Sequence, residues 1–145
     1  MSTRRISAGP QSLVLDSWAV LAWLGREAGE ARVEKEFERA EAAGTRLLLS
    51  IINAGEVYYM LARRQDGDLA QEFIEDLRRH RLPVRLIPAT TRRVWDAAKL
   101  KARYPVAYAD AFAASLARES GASLLTGDRE FAILERENVC RIMWI

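Results

Sequence analysis

Apolar residues along this chain follow two alternating rhythms. Short, nearly unbroken apolar runs occur at Leu13–Leu15, Leu47–Ser50, Val84–Ile87 and at residues 123–125 and 139–144. Such runs predict short strands covered on both faces, as in a parallel sheet. Between them the spacing becomes helical. Val33, Phe37 and Ala40 recur at i, i+4, i+7, with Glu30, Glu34, Glu38 and Arg39 elsewhere around the helix. Leu69, Phe73 and Leu77 repeat the pattern after Asp68, which with Gln71 reads as a capping box. Thr90 or Thr91 caps a helix that runs to about Arg103 and stops before Pro105. Ala109, Phe112, Ala113, Leu116 and Ala117 form a stripe of small and apolar residues, which predicts close packing, and Gly121 is a suitable C-cap. Strand and helix in alternation predict an α/β domain with a parallel sheet.

Composition narrows the class. With 145 residues, 50% hydrophobic and 29% charged, the chain suits one globular domain, expected over residues 12–145 behind a flexible leader at 1–11. No apolar run approaches the ~18 residues of a membrane span, and no apolar core follows the early arginines to make a secretory signal. The single cysteine, Cys140, excludes an internal disulfide and points to a reducing, cytoplasmic setting, with the thiol buried and inert. The single histidine, His80, lies in a charged RRHR stretch and reads as solvated, so multi-histidine zinc sites are excluded. Net charge is only +2, yet residues 63–103 hold eleven Lys and Arg against six Asp and Glu, an excess compatible with a polyanionic partner.

Against this background four acids stand out by their company. Asp16 ends the run LVLD, and Asp128 follows SLLT across one glycine. Both therefore fall at the C-terminal edge of the sheet, where open α/β folds place ligands. Glu56 comes about one helical turn after its strand, and Asp110 interrupts an otherwise uncharged stretch over residues 106–117. Their separations of 40, 54 and 18 residues mean that only the tertiary fold can unite them. If united, such carboxylates raise one another's pKa or hold hard divalent cations, Mg²⁺ or Mn²⁺, through oxygen. Such ions polarise a phosphodiester and acidify water. Ser17, Asn53 and Thr126 are placed to steady carboxylate rotamers or bound water, and Asn53 shares a helix face with Glu56. Arg63 lies roughly 10 Å further along that helix, within reach of a phosphate. Taken singly, Asp16 and Asp110 also read as helix caps, Asp128 as a turn residue and Glu56 as a surface acid. Trp18, Trp23, Trp95 and Trp144 read as core or dimer contacts, Tyr58 and Tyr59 as packing residues with stacking on RNA bases as the alternative, and Asp96 with the acids of residues 27–41 as solvated.

Four segments carry a family resemblance: LVLDSWAVLAWL, LSIINAGEVYYML, YADAFAASLA and LLTGDREF. In this order and spacing they resemble the signature blocks of PIN-domain ribonucleases, particularly VapC-type toxins of toxin–antitoxin pairs. The likeness runs from about Leu13 to the C-terminus. It implies a PIN-like three-layer sandwich with a five-stranded parallel sheet flanked by helices. It also implies Mg²⁺- or Mn²⁺-dependent endonuclease action on RNA, homodimerisation and inhibition by a cognate antitoxin. The metal-binding acids of those blocks correspond to Asp16, Glu56, Asp110 and Asp128, and their accompanying polar positions to Ser17, Asn53 and Thr126. A housekeeping RNA-processing nuclease and a non-catalytic PIN-fold binding module are the alternatives. A receiver-type phosphoacceptor is rejected, because the third strand candidate ends in Ile87-Pro88 and no lysine follows Lys101. A haloacid-dehalogenase-type phosphatase fails on Asp16-Ser17-Trp18 in place of Asp-x-Asp.

Overall fold

Each strand run sorts its side chains to two faces with the period of two that a pleated backbone imposes. Leu13, Leu15, Leu47, Leu49 and Leu125 join one apolar cluster, whereas Val14, Leu48 and Leu124 join the other. A sheet with two buried faces needs a layer on each, and helices supply both. The computed structural model describes residues 12–145; the predicted leader at 1–11 lies outside them.

In chain order the elements are β1 (Leu13–Leu15), α1 (Ser17–Leu24), α2 (Glu30–Ala43), β2 (Leu47–Ser50), α3 (Ile51–Arg63), α4 (Gly67–Arg78) and β3 (Val84–Ile87). There follow α5 (Thr91–Arg103), α6 (Tyr108–Ser120), β4 (Ser123–Thr126), a 3₁₀ turn (Arg129–Phe131), α7 (Ala132–Arg136) and β5 (Arg141–Trp144). The five strands lie in the order β3-β2-β1-β4-β5, all pairs parallel. Helices α1 to α4 cover one face and α5 to α7 the other. The three-layer arrangement is therefore as expected. No helix among the described residues is long and apolar enough to cross a membrane.

The strand order decides where a ligand site can form. The chain adds β2 and β3 on one side of β1, then crosses to place β4 and β5 on the other. The order reverses between β1 and β4. Their connections leave in opposite directions and open a crevice at the C-terminal ends of these strands. Asp16 and Asp128 emerge there.

Local signals were mostly obeyed. Thr90 caps α5 through Arg93 N, α5 stops at Arg103, and Gly121 closes α6 at φ 67°. Four readings need correction. Helix α4 begins at Gly67 with Asp66 as N-cap, so Asp68 lies inside the first turn and makes no capping box. The last strand begins at Arg141, because residues 132–136 take a helical turn first. Full coverage holds for the central strands, while edge strands β3 and β5 leave Arg85 and Arg141 exposed. Trp95 is no core residue: it is 62% exposed on α5. Trp18, Trp23 and Trp144 pack against the two clusters as expected.

The charged segments also differ from expectation. Glu36 is buried, not solvated, because Arg32 and Arg39 each donate to its Oε1 at 3.2 Å. Six of the eleven cations in residues 63–103 (Arg64, Arg78, Arg79, Arg81, Arg92 and Arg93) pair with acids. Only Arg64 and Arg93 pair with acids from outside the segment, Glu27 and Glu119, so most of the basic excess remains. Cys140 is buried, and desolvation, helped by Glu135, pushes its thiol up to about 11, which makes it inert at neutral pH.

Candidate active site

Asp16 is both a helix cap and a buried acid. It follows β1 in extended conformation, and its Oδ1 accepts from Ala19 N at 2.8 Å, capping α1. Its Oδ2 accepts from the Thr126 hydroxyl at 2.6 Å. The same hydroxyl oxygen accepts from Asp128 N at 3.0 Å. Thr126, the last residue of β4, therefore fixes one acid by its proton and the next by its lone pair. Asp128 in turn caps the 3₁₀ turn, accepting from Glu130 N at 3.0 Å. Each terminal acid carries out local capping while facing the same crevice.

Gly127 sets how closely this turn approaches α1. A Cβ at position 127 would stand 2.3 Å from Cη2 of Trp18 and 2.6 Å from two more ring atoms. Only glycine lets the indole lie flat against the backbone between Thr126 and Asp128.

Ser17 and Asn53 bond each other and backbone carbonyls. The Ser17 hydroxyl donates to the Asn53 carbonyl at 3.2 Å, and Asn53 Nδ2 reaches Ser17 Oγ at 3.3 Å and the Ala109 carbonyl at 3.0 Å. Neither bonds a carboxylate among the described residues. Together they clamp α1, α3 and the start of α6, which carry Asp16, Glu56 and Asp110. Asn53 is fully buried, and its Oδ1 has no partner among the described residues. The clamp orients elements rather than rotamers.

Electrostatics shows which acids meet. Asp110, in the first turn of α6, is 9% exposed. Burial first, then the charges of Asp128, Glu56 and Glu130, raise its carboxyl to about 7. Asp16 also rises to about 7. Burial is the main cause, the bonds from Thr126 and Ala19 oppose it, and Asp110 and Asp128 add repulsion. Asp16 and Asp110 therefore feel each other and Asp128, and Glu56 acts on Asp110 alone of these. A fifth acid joins them: carboxylate oxygens of Asp110, Asp128 and Glu130 lie within 4.8 Å of one another. Glu130 was missed because it sits in a polar, exposed segment; its offset of two from Asp128 across a turn is the only hint the sequence offers. Among the described residues no cation pairs with Asp16, Glu56, Asp110 or Asp128. Clustered oxygen donors, raised carboxyls and absent counter-charges suit a hard divalent cation.

Arg63 does not touch the acids. Its guanidinium carbon lies 5.0 Å from the centre of the Tyr59 ring, and the Tyr59 hydroxyl donates to Glu56 Oε2 at 3.3 Å.

A family model for the PIN domain matches residues 13–137. The chain belongs to the PIN domain family. No curated protein matches it. Among solved structures, this PIN domain is similar to a VapBC2 complex from Rickettsia felis bound to a DNA fragment from its promoter. That match has TM-score 0.71 and 13% identity, and covers 93% of this chain and 99% of the other. It is also similar to DNA-bound VapBC from Salmonella typhimurium, at TM-score 0.69 and 19% identity, covering 92% and 97%. VapC20 from Mycobacterium tuberculosis, described as a sarcin–ricin loop cleaving toxin, matches at TM-score 0.68 and 19% identity, covering 84% and 94%. At these identities the shared property is the fold.

Proposed function

We propose that this PIN domain is a metal-dependent endoribonuclease and the VapC-type toxin of a toxin–antitoxin pair. The carrying observation is the cluster of Asp110, Asp128 and Glu130, with carboxylate oxygens within 4.8 Å of one another, beside the buried Asp16 that Thr126 links to Asp128; Glu56 joins them through its charge on Asp110. The fold-sharing proteins support the toxin reading, since several are VapBC complexes and one is an RNA-loop-cleaving toxin. A cytoplasmic location, a homodimer and a cognate antitoxin belong to the same proposal. The antitoxin would insert a basic or aromatic segment into the acidic crevice.

Asp16, Asp110, Asp128 and Glu56 would hold Mg²⁺ or Mn²⁺, with Glu130 beside them. When bound, the ion supplies Lewis acidity toward a phosphodiester and lowers the pKa of water. The protein's own groups prepare for this. Asp16 and Asp110, partly protonated at neutral pH, release protons as a cation enters. Thr126 keeps the Asp16 carboxylate and the Asp128 backbone in fixed relation, so the oxygen cage needs little rearrangement. Ser17 and Asn53 lock the three helices on which that cage depends.

The test is cleavage of total cellular RNA by purified protein. EDTA should stop it and Mg²⁺ or Mn²⁺ restore it. Cleavage that persists in excess chelator eliminates the metal mechanism, and growth inhibition that no neighbouring gene relieves eliminates the toxin role.

A further inference from the structure

We propose that Tyr59 and Arg63 form a nucleobase-stacking subsite for single-stranded RNA beside the carboxylate cluster, an assignment that rests on the ribonuclease reading above. Two adjacent tyrosines on α3 have opposite fates. Tyr58 is half-buried against the apolar cluster shared by α1 to α4. Tyr59 is 45% exposed, with its hydroxyl anchored on Glu56. The expectation that both are packing residues holds for Tyr58 alone.

Three features distinguish Tyr59 from an incidental surface aromatic. Its hydroxyl is tethered to an acid whose charge acts on Asp110, so the ring is held at the border of the cluster. The Arg63 guanidinium sits over one face of the ring, 5.0 Å from its centre, so a base would stack on the opposite face, in the manner of aromatic and guanidinium planes in single-strand binding sites. Arg63 makes no ion pair among the described residues, whereas its neighbour Arg64 pairs with Glu27. Its charge is therefore free to meet a phosphate. The other exposed aromatics lack this setting: Tyr108 leans on Phe112 at 5.1 Å, and Trp95 meets no cation among the described residues.

Geometry gives the subsite a direction. Glu56, Tyr59 and Arg63 are spaced i, i+3, i+7, so they share one face of α3 and span roughly 10 Å along its axis. A strand cut at the acids would leave along that face, with an unpaired base on Tyr59 and a phosphate at Arg63. Bases inside a duplex hide their faces, so the subsite selects unpaired nucleotides with little base preference.

The experiment measures fluorescence anisotropy of a labelled short oligoadenylate in EDTA, where binding is read without cleavage. Tyr59→Ala should weaken binding about 5- to 100-fold, the value of one base–aromatic stack. Tyr59→Phe should stay within about twofold of wild type, because it keeps the ring and loses only the bond to Glu56. An abasic strand with the same backbone should bind wild type and Tyr59→Ala alike. Arg63→Ala should reduce the salt slope by about one unit. Binding by Tyr59→Ala equal to wild type overturns the subsite, as does an equal loss on the abasic strand or a loss that sedimentation traces to an altered oligomer. Tyr59-dependent binding by a protein that never cleaves RNA sinks the nuclease reading instead, and cleavage with Tyr59-independent binding sinks only the subsite.

Discussion

Glu36 and Asp110 are buried to nearly the same degree, at 7% and 9% exposure, yet they sit in opposite electrical surroundings. Glu36 on α2 accepts from two arginines of its own helix. Asp110 on α6 faces three further acids, and its carboxyl rises to about 7. A buried charge normally demands a partner. Glu36 finds its partners within the fold, whereas Asp110 and Asp16 meet burial and repulsion that raise their carboxyls to about 7. Carboxyls so placed either keep a proton or take a cation from outside.

The largest expected effect breaks the comparison directly. Asp110→Asn should lower RNA cleavage by about 10³-fold or more, since several kcal/mol of charge stabilisation depend on the metal site. Its thermal midpoint should hold or rise, because repulsion is removed. Glu36→Gln should do the reverse, costing about 1 to 2 kcal/mol of stability with little change in kcat. Paired melting and cleavage assays read both; an Asp110→Asn protein that cuts at the wild-type rate removes that residue from the site.

The next effect is in pH. In the folded protein Asp16 and Asp110 are pushed up to about 7, above the ordinary aspartate value of 3.8. Between those values the folded metal-free protein binds more protons than the unfolded chain, so its stability falls as pH rises toward and through 7. The slope is at most about 1.4 kcal/mol per pH unit for each group. Denaturant titrations between pH 5 and 8 should show this decline, and Mg²⁺ or Mn²⁺ should reverse it. In Asp110→Asn both the slope and the metal rescue should shrink.

A smaller effect tests the turn that carries Asp128. Gly127→Ala should cost about 1 to 3 kcal/mol, because the new methyl group meets the Trp18 ring. Combining it with Trp18→Ala should recover part of that loss in a double-mutant cycle. Simple additivity of the two would show that the contact does not position the turn.

Much of this was legible along the chain for a physical reason. Strand runs, the Thr90 cap, the Gly121 terminus and the helical stripes are local signals, written within a few residues of where they act. The acids at strand ends were legible because an apolar run that stops in an aspartate leaves a charge at the sheet edge. The capping box at Asp68 misled because two nearby aspartates, Asp66 and Asp68, both suit the start of a helix, and α4 starts after the earlier one. Glu36 misled because its arginines share its helix and look like an ordinary solvated face until packing covers them.

By itself, the order of residues determined the alternating elements and the α/β class, and singled out four candidate acids. Only the tertiary structure decided that Asp110 and Asp128 lie together and that Glu130 joins them. It alone turned Ser17 and Asn53 into a clamp between helices, and separated the packed Tyr58 from the exposed Tyr59. The reason is the length scale. Capping and periodicity act over a few residues, whereas Glu56 acts on Asp110, 54 positions away, only after the crossover from β3 to β4 has brought α6 back beside α3.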